Sequence, residues 1–387
     1  MAYSSMWTYV WDLVDEGIEP TLDLLKDRIG LSGISVATSY HTVDHLRLHC
    51  PKPIYFRARQ AALYFVPQAS LYKATKIVPN VAPIAKKNNP LAAIAKGCAK
   101  CKLDLNSWTV LMHNSHLAGK YPDCAAEDCF GARSPVALCP SNVNVREYFR
   151  AVVRDLVTNY GVKNVELESC GYENFRHYHM HEKHGIVFGA LDKFALTLCF
   201  CESCRARAKK ANVDADHVRN QTRKALESAF RRGQPMRGTV EEFVEETSEM
   251  GNYVEMREQS MLQFLGELKK AAGKASLITM NEGNRFVTGV GMREMAEVAD
   301  RVLLLCYSPK PQVVRELVED GIEAVGKASR LVAGYHCYAP NAPDADTLEA
   351  TVAAAYDLKV RHFNFYNYGI MPIPNLMWVK DVVAGLK

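Results

Sequence analysis

The chain has 387 residues, of which 48% are hydrophobic, and a formal net charge of +4. This composition provides a large buried core, and the small net charge does not indicate a nucleic-acid-binding surface. The sequence contains no run of about 18 apolar residues and no secretory signal, so we expect neither a membrane span nor export. Twelve cysteines in such a chain predict reduced thiols or metal ligands, and therefore a cytoplasmic protein.

Eight short apolar runs occur along the chain, and a segment with helical periodicity follows each of them. The predicted strands are residues 7–11, 34–40, 107–112, 165–168, 276–280, 301–305, 331–334 and 362–366. Repeated strand–helix units of this kind predict an α/β fold, namely a (β/α)8 TIM barrel. The GxGxxG motif does not follow any of the predicted strands, which weakens a doubly wound alternative.

Two segments are longer than a bare barrel requires. Residues 42–89 form a long insertion after the second strand, in which Ile54-Tyr55-Phe56 and Leu63-Tyr64-Phe65 resemble the two arms of a hairpin. Residues 205–275 form an extended helical excursion after the fourth strand. We expect residues 1–387 to be a single barrel domain, with these segments either capping a pocket or forming a contact in a homo-oligomer.

Glu168 is the predicted general acid. It ends the alternating run Val165-Glu166-Leu167-Glu168, and the carboxyl ends of barrel strands are where TIM barrels build their active sites. Partial burial there raises a carboxyl pKa towards the working pH. Glu166 lies one layer deeper, where we predict a structural ion pair with an Arg or Lys.

A cluster of cysteines follows the fourth strand. Cys199, Cys201 and Cys204 have C-x-C-x-x-C spacing, and Cys139, directly before a predicted helix, is the fourth candidate ligand. Four thiolates can hold one tetrahedral zinc ion, so we predict a structural zinc (Zn2+) site. Other cysteines are predicted to be ordinary thiols: Cys98, Cys101, Cys124 and Cys129.

This arrangement resembles the zinc-containing β-galactosidases of glycoside hydrolase family 42. In that family a Cys-Pro-Asn segment precedes the helix, an Asn-Glu pair at the end of the fourth strand supplies the acid/base, and a Cys-Tyr-Cys-x-x-Cys run completes a structural zinc site. The similarity covers roughly residues 105–310, including the fifth-strand run Leu277-Ile-Thr-Met-Asn281. The resemblance implies that Glu168 is the acid/base and that the zinc ligands are Cys139, Cys199, Cys201 and Cys204.

Two positions depart from the pattern of that family. Leu167 precedes Glu168 where the family has Asn, and the seventh strand ends in Gly334-Tyr335-His336, where the family has its nucleophilic Glu. The resemblance therefore supports the fold and a carbohydrate pocket. It does not support β-galactosidase activity by the usual retaining mechanism, and the chain is more similar to uncharacterised barrel glycosidases.

A second catalytic carboxylate is needed for glycoside cleavage. Glu282, directly after the fifth strand, is the first candidate, and Asp12, after the first strand, is the next. A short separation between the two carboxyls permits a covalent intermediate, and a wider one leaves room for a water molecule and inversion. Glu282 is accordingly predicted to act as nucleophile or as base.

Histidine, tyrosine and asparagine residues at the strand ends are predicted to line a carbohydrate pocket, because sugars offer hydroxyls to polar side chains and apolar faces to aromatic rings. The predicted substrate contacts are His41, His113, Asn114, Asn281, Tyr307, His336, Tyr338 and Asn367. We expect the histidines after the fourth strand to be solvated or to contact substrate, and not to bind a catalytic metal: His177, His179, His181 and His184.

Three functions remain open at the level of sequence. The preferred one is a glycoside hydrolase-like enzyme that acts on a small oligosaccharide or glycoside, with neither nucleic acid nor membrane as a partner. The second is a sugar isomerase, epimerase or lyase that uses His336 or a metal. The third is a sugar-binding barrel without catalytic activity, since one fold supports many functions.

Overall fold

The computed structural model describes residues 2–50, 53–172 and 185–386. Within these ranges, eight parallel strands pair side by side, and the first pairs with both the second and the eighth, so that the sheet closes into a barrel. The barrel strands are β1 (Tyr3–Tyr9), β2 (Gly33–Tyr40), β3 (Asp104–Val110), β4 (Asn164–Glu168), β5 (Ser276–Met280), β6 (Arg301–Leu305), β7 (Leu331–His336) and β8 (His362–Tyr366). The predicted TIM barrel is confirmed.

Helices surround this barrel. The α-helices are Val10–Glu16, Ile18–Asp23, Pro83–Asn88, Pro90–Cys101, Ser115–Lys120, Val143–Tyr160, Ala190–Thr197, Glu202–Lys210, Ala215–Arg232, Val240–Glu245, Ser248–Ala272, Arg285–Thr288, Met292–Val298, Pro311–Val325, Ala345–Asp357 and Ile373–Gly385. Shorter helical turns are Leu24–Arg28, Ala69–Tyr72, Pro122–Cys124 and Ala328–Arg330. None of the helices in the described ranges is long and apolar enough to span a membrane.

The barrel strands are buried on both faces. Every residue of β2 is buried, because one face points into the barrel and the other packs under helices. At its start the backbone of Gly33 approaches its neighbours so closely that a Cβ would lie 2.4 Å from the hydroxyl of Tyr3. Glycine is therefore required at this position. The first strand ends earlier than predicted, at Tyr9, because the apolar run continues into the buried helix Val10–Glu16.

The insertion after β2 contains a hairpin. Its strands are Val43–Leu46 and Tyr55–Ala58, and the pair Ala62–Leu63 adds antiparallel to the end of β2. The predicted pairing of residues 54–56 with residues 63–65 is therefore wrong. Leu63, Tyr64 and Phe65 are buried in the main core instead, because their apolar side chains pack against the barrel.

The long helices after β4 form a layer with its own apolar cluster, in which Phe194, Phe200 and Tyr253 are buried. The helix Ala215–Arg232 ends at Gly233 in a left-handed conformation. The longest helix, Ser248–Ala272, packs against the helix Val143–Tyr160. A second hairpin, with strands Ala125–Glu127 and Arg133–Leu138, follows β3 and brings Cys139 to this layer.

The helix Val143–Tyr160 begins next to this hairpin. The side chain of Asn142 accepts hydrogen bonds from the backbone amides of Asn144 and Val145, at 2.9 and 3.4 Å, and so caps the helix. This fixes the path of the chain between Cys139 and β4.

Candidate active site and metal centre

A cavity of about 520 Å³ opens at the carboxyl ends of the barrel strands. Among the predicted site residues, the cavity is lined by His41, Glu168, Asn281, Glu282, Tyr307, His336 and Tyr338. Grooves of about 650, 660 and 870 Å³ lie on the outer helices and loops, and their described walls contain no residue from the carboxyl end of a barrel strand. The central cavity is thus the one that joins the polar side chains of the strand ends.

Glu168 is half-buried at the end of β4. The indole N–H of Trp108, on the neighbouring strand β3, donates a hydrogen bond to its Oε2. Burial raises the pKa of Tyr40, Tyr307 and Tyr366, and the charge of Glu168 raises all three further. These phenols therefore stay protonated at neutral pH and are available as hydrogen-bond donors around the carboxylate.

Glu282 reaches the same cavity from the loop after β5. Its Oε1 accepts a hydrogen bond from the backbone amide of Ser169 at 2.9 Å. Ser169 has a φ of 51°, a left-handed conformation that is uncommon for a residue with a side chain. The turn at Ser169 thus directs its amide towards Glu282 immediately after the chain leaves Glu168.

Several residues that line the cavity are not among those predicted from the sequence: Trp7, Tyr40, Trp108, Met280, Leu305 and Tyr366. All lie at or near the carboxyl ends of strands. Because alternate residues of a strand point to the same face, their positions in the strands could have indicated that they face into the barrel. The hydroxyl of Tyr9, at the end of β1, hydrogen bonds to those of Tyr40 and Tyr366, at 3.0 and 3.2 Å. These hydrogen bonds connect the aromatic residues of the three adjacent strands β8, β1 and β2.

His336 lies in an aromatic stack on one side of the cavity. Its ring centroid is 3.6 Å from that of Tyr307 and 5.1 Å from that of Tyr338, with nearly parallel planes. Burial lowers the pKa of His336 to about 4, so the imidazole is neutral at physiological pH. Its Nδ1 lies 2.7 Å from the side-chain nitrogen of Asn341. When the proton of the neutral imidazole is on Nε2, Nδ1 accepts a hydrogen bond from this nitrogen.

Three predicted substrate contacts lie outside the cavity wall. His113 stacks on His41 at 4.8 Å. The side chain of Asn114 accepts from the amide of Leu117 at 2.9 Å and caps the helix that follows. Asn367 is fully buried, and its Oδ1 accepts from the amide of Gly369 at 3.0 Å. Asn114 and Asn367 thus hold local backbone and are not carried into the proposed site.

Asp12, the alternative second carboxylate, also lies outside the cavity lining. It is fully buried, with Oδ1 3.7 Å from Nη1 of Arg47. Burial raises its pKa to about 8, although Arg47 opposes the shift.

Four further predicted residues lie outside the described ranges: His177, His179, His181 and His184.

Glu166 is buried below the cavity and is not paired as expected. Its carboxylate accepts hydrogen bonds from Ser35 at 2.7 Å, Trp7 at 2.8 Å and Asn364 at 3.0 Å. The predicted ion pair with Arg or Lys is wrong within the part of the chain that the structure describes. Neutral donors from three other strands solvate the carboxylate instead, and burial raises its pKa to about 7.

The four predicted zinc ligands come together. The Sγ atoms of Cys139, Cys199, Cys201 and Cys204 all lie within 4.8 Å of one another, and all four residues are buried. The Sγ of Cys139 is 3.5 Å from that of Cys204 and 3.8 Å from that of Cys199. A tetrahedral zinc ion with Zn–S bonds of about 2.3 Å separates its sulfur ligands by about 3.8 Å, so the cluster fits a metal ion of this kind.

The surroundings of the cluster suit thiolate ligands. The backbone amide of Glu127 donates to Sγ of Cys199 at 3.4 Å, and the hydroxyl of Tyr253 donates to the carbonyl oxygen of Cys199. Across residues 2–50, 53–172 and 185–386, this is the one group with the spacing of metal ligands.

The sequence matches neither a protein-family model nor a curated protein. Its fold is similar to that of alpha-L-fucosidase isoenzyme 2 from Paenibacillus thiaminolyticus, with a TM-score of 0.61, 11% identity, and coverage of 100% of this chain and 49% of that chain. For the catalytic domain of beta-amylase from Paenibacillus polymyxa the TM-score is 0.57 at 11% identity, and the alignment covers 100% of this chain and 98% of that chain. For beta-galactosidase from the psychrophilic Marinomonas ef1 the TM-score is 0.58 at 10% identity, and the alignment covers 99% of this chain and 59% of that chain. The chain thus spans about half of the fucosidase and less than two thirds of the galactosidase. At these identities the similarity shows a shared barrel fold and no specific family.

Proposed function

We propose that this protein is a glycoside hydrolase-like enzyme that cleaves a small oligosaccharide or glycoside, with Glu168 as its general acid. The observation that carries the proposal is that Glu168 and Glu282, from adjacent strands, line one cavity with aromatic walls. Two carboxyls that flank a glycosidic bond are the usual catalytic equipment for its hydrolysis. The fold similarity to glycosidases agrees with this proposal.

In the proposed reaction Glu168 protonates the leaving oxygen of the glycosidic bond. Glu282 then acts as nucleophile towards the anomeric carbon or as the base that activates a water molecule. The amide of Ser169 orients Glu282, and the indole of Trp108 orients Glu168. Each candidate carboxylate is thereby held by a hydrogen-bond donor from an adjacent segment of the chain, Trp108 on β3 or Ser169 after β4.

A carbohydrate suits the remaining walls of the cavity. The stack of Tyr307, His336 and Tyr338 offers aromatic faces to the C–H groups of a sugar ring. The side-chain oxygen of Asn281 is buried and has no hydrogen-bond partner among the described residues, so it is available to accept from a substrate hydroxyl. The substrate contacts that we propose are His41, Asn281, Tyr307, His336 and Tyr338.

We further propose that the cysteine cluster binds structural zinc, as the resemblance to glycoside hydrolase family 42 also suggests. The ion would join Cys139, after the hairpin that follows β3, to three cysteines in the helical layer after β4. It would contribute to folding and not contact the substrate. The free thiols of the described residues agree with the proposed cytoplasmic location.

The test is turnover of a panel of chromogenic glycosides by the wild type, Glu168→Gln and a control, Glu227→Gln, whose half-buried carboxylate lies on the helix Ala215–Arg232. We expect the wild type and the control to cleave at least one glycoside. Glu168→Gln should fail on poor leaving groups and retain activity on an activated one, because the latter needs no proton. Equal activity of Glu168→Gln on every glycoside would remove Glu168 from its proposed role.

A second candidate is a sugar isomerase, epimerase or lyase that uses His336. It is favoured by one observation, namely that a neutral imidazole lines the cavity at the end of β7. Conversion of a free sugar by the wild type, lost in His336→Gln and kept in Glu168→Gln, would support this candidate. Tight glycan binding without any turnover would instead support the sugar-binding barrel.

A further inference from the structure

Arg257 is a buried guanidinium whose charge is not matched by an ion pair in the described part of the chain. It is 0% exposed and lies on the helix Ser248–Ala272. Its Nη1 donates to the carbonyl oxygen of Phe286 at 3.1 Å, while Nε and Nη2 have no hydrogen-bond partner. The adjacent carboxylate of Glu258 is paired with Arg285 at 2.7 Å. A buried charge without compensation is costly, so an anion is expected nearby.

Tyr172 connects Arg257 to the cysteine cluster. The guanidinium carbon of Arg257 lies 4.4 Å from the centroid of the Tyr172 ring. The hydroxyl of Tyr172 hydrogen bonds to Oγ of Ser141 at 2.9 Å, two residues after Cys139. The ring is fixed by Gly289, where a Cβ would lie 2.7 Å from Cδ2 of Tyr172. Arg257 is therefore held one aromatic ring away from the turn that carries Cys139.

The same helix contacts the cluster at a second point. Tyr253 lies one helical turn before Arg257, and its hydroxyl donates to the carbonyl oxygen of Cys199. Tyr172 and Tyr253 are both fully buried, and charges in surroundings of this kind are screened less than at the surface.

We propose that Arg257 is a charge-compensating residue for a tetrathiolate metal centre formed by Cys139, Cys199, Cys201 and Cys204. The proposal rests on the proposed metal site and is independent of the proposed hydrolase activity. Four thiolates around one divalent ion leave excess negative charge, and the unpaired guanidinium of Arg257 supplies the opposite charge. Arg257 would thus offset the negative charge of the metal centre from beyond the ligand shell, where supporting groups are common.

The test is the rate at which zinc-loaded full-length protein releases its metal to a chromogenic chelator. We expect Arg257→Met to release zinc about 10- to 100-fold faster than the wild type, the usual effect of losing a group that supports the ligands. The matched control is Arg361→Met. Its guanidinium carbon also lies over a tyrosine ring, 3.9 Å from the centroid of Tyr356, but Arg361 directly precedes β8 and is not part of the cysteine cluster. Release by the control should be unchanged.

Arg257→Lys distinguishes the effect of losing the positive charge from the effect of losing the packing of the side chain. It is also the variant to compare with the wild type if Arg257→Met does not fold. It keeps the positive charge, so release should stay within about three-fold of the wild type. A wild-type release rate in folded Arg257→Met would overturn the proposal. Zinc release that is equally accelerated in Arg257→Lys and Arg257→Met would also overturn it, and so would the same acceleration in Arg361→Met. All these readouts are metal release, so they are independent of whether any glycoside is cleaved.

Discussion

Glu282 Oε1 accepts a hydrogen bond from the backbone amide of Ser169 at 2.9 Å, which ties the loop after β5 to the residue that follows Glu168. The two candidate carboxylates are therefore not positioned independently, because the backbone that directly follows Glu168 also holds Glu282. A shift of either loop would change their separation. In a glycosidase that separation decides between a covalent intermediate and direct attack by water.

Replacement of Glu282 should remove most of the proposed activity. We expect Glu282→Gln to lower kcat on the best glycoside by about 10²- to 10⁴-fold, because the variant lacks the nucleophile or base. Addition of azide to Glu282→Ala should restore turnover, and the configuration of the glycosyl azide would report which role Glu282 has. Full activity of Glu282→Gln would contradict this assignment and would require the second carboxylate to come from elsewhere.

Trp108 is expected to affect the rate more than binding. Trp108→Phe keeps an aromatic ring in the cavity wall but removes the indole N–H that donates to Glu168. A hydrogen bond to a charged group is worth about 1.5–3 kcal/mol, so kcat should fall about 10- to 100-fold. KM should change little. Steady-state kinetics on one glycoside measures both, with Trp378→Phe, on the C-terminal helix, as the control. A rise in KM with unchanged kcat would show that Trp108 acts only as a binding surface.

Loss of one ligand of the cysteine cluster should reduce folding stability before it affects chemistry. We expect Cys201→Ser to contain less than one zinc ion per chain and to melt about 5–10 °C lower than the wild type. Cys101→Ser is the matched control, because the half-buried Cys101 lies outside the cluster and its Sγ donates a hydrogen bond to the carbonyl oxygen of Cys98, at 3.7 Å, within its own helix. Elemental analysis and thermal unfolding measure the two effects. Full zinc content and an unchanged melting temperature in Cys201→Ser would remove the metal assignment.

The sequence was informative where local pattern determines structure. Alternating strand residues and strand–helix order predicted the barrel, and they placed Glu168 and Glu282 at strand ends on the same side. The spacing of Cys199, Cys201 and Cys204 is also local, because a metal ion requires ligands at short range. Cys139 was found through the resemblance and its position before a helix, and it lies beside the other three.

Contacts across the barrel were not accessible from the sequence. Trp7 donates to Glu166 over a separation of 159 residues, and such a contact depends on the register of strands that are not neighbours in the chain. Asn114 had the residue type of a sugar contact, but as the residue directly before the helix Ser115–Lys120 it was equally suited to cap that helix. Position at a strand end thus predicted the region of the site and not the direction of each side chain.

Glu166 should make the stability of the protein depend on pH. Burial raises its pKa from 4.5 to about 7, so the folded state binds more protons than the unfolded state between these pH values. The free energy of unfolding therefore falls as the pH rises from about 4.5 to 7, and it levels off above that range. A shift of this size corresponds to about 3 kcal/mol.

Glu166→Gln should abolish this contribution. The amide of the glutamine does not titrate. Its NH₂ group stands where Glu166 has an acceptor oxygen, so it faces a hydrogen-bond donor of Ser35, Trp7 or Asn364. We expect the variant to be less stable than the wild type at pH 5 and the difference to shrink by about 3 kcal/mol at pH 8, since ionisation then destabilises only the wild type. Urea unfolding at a series of pH values measures this difference, with Glu227→Gln, on an outer helix, as the control. Parallel pH profiles for the wild type and Glu166→Gln would show that Glu166 is ionised throughout, with its three donors compensating fully for burial.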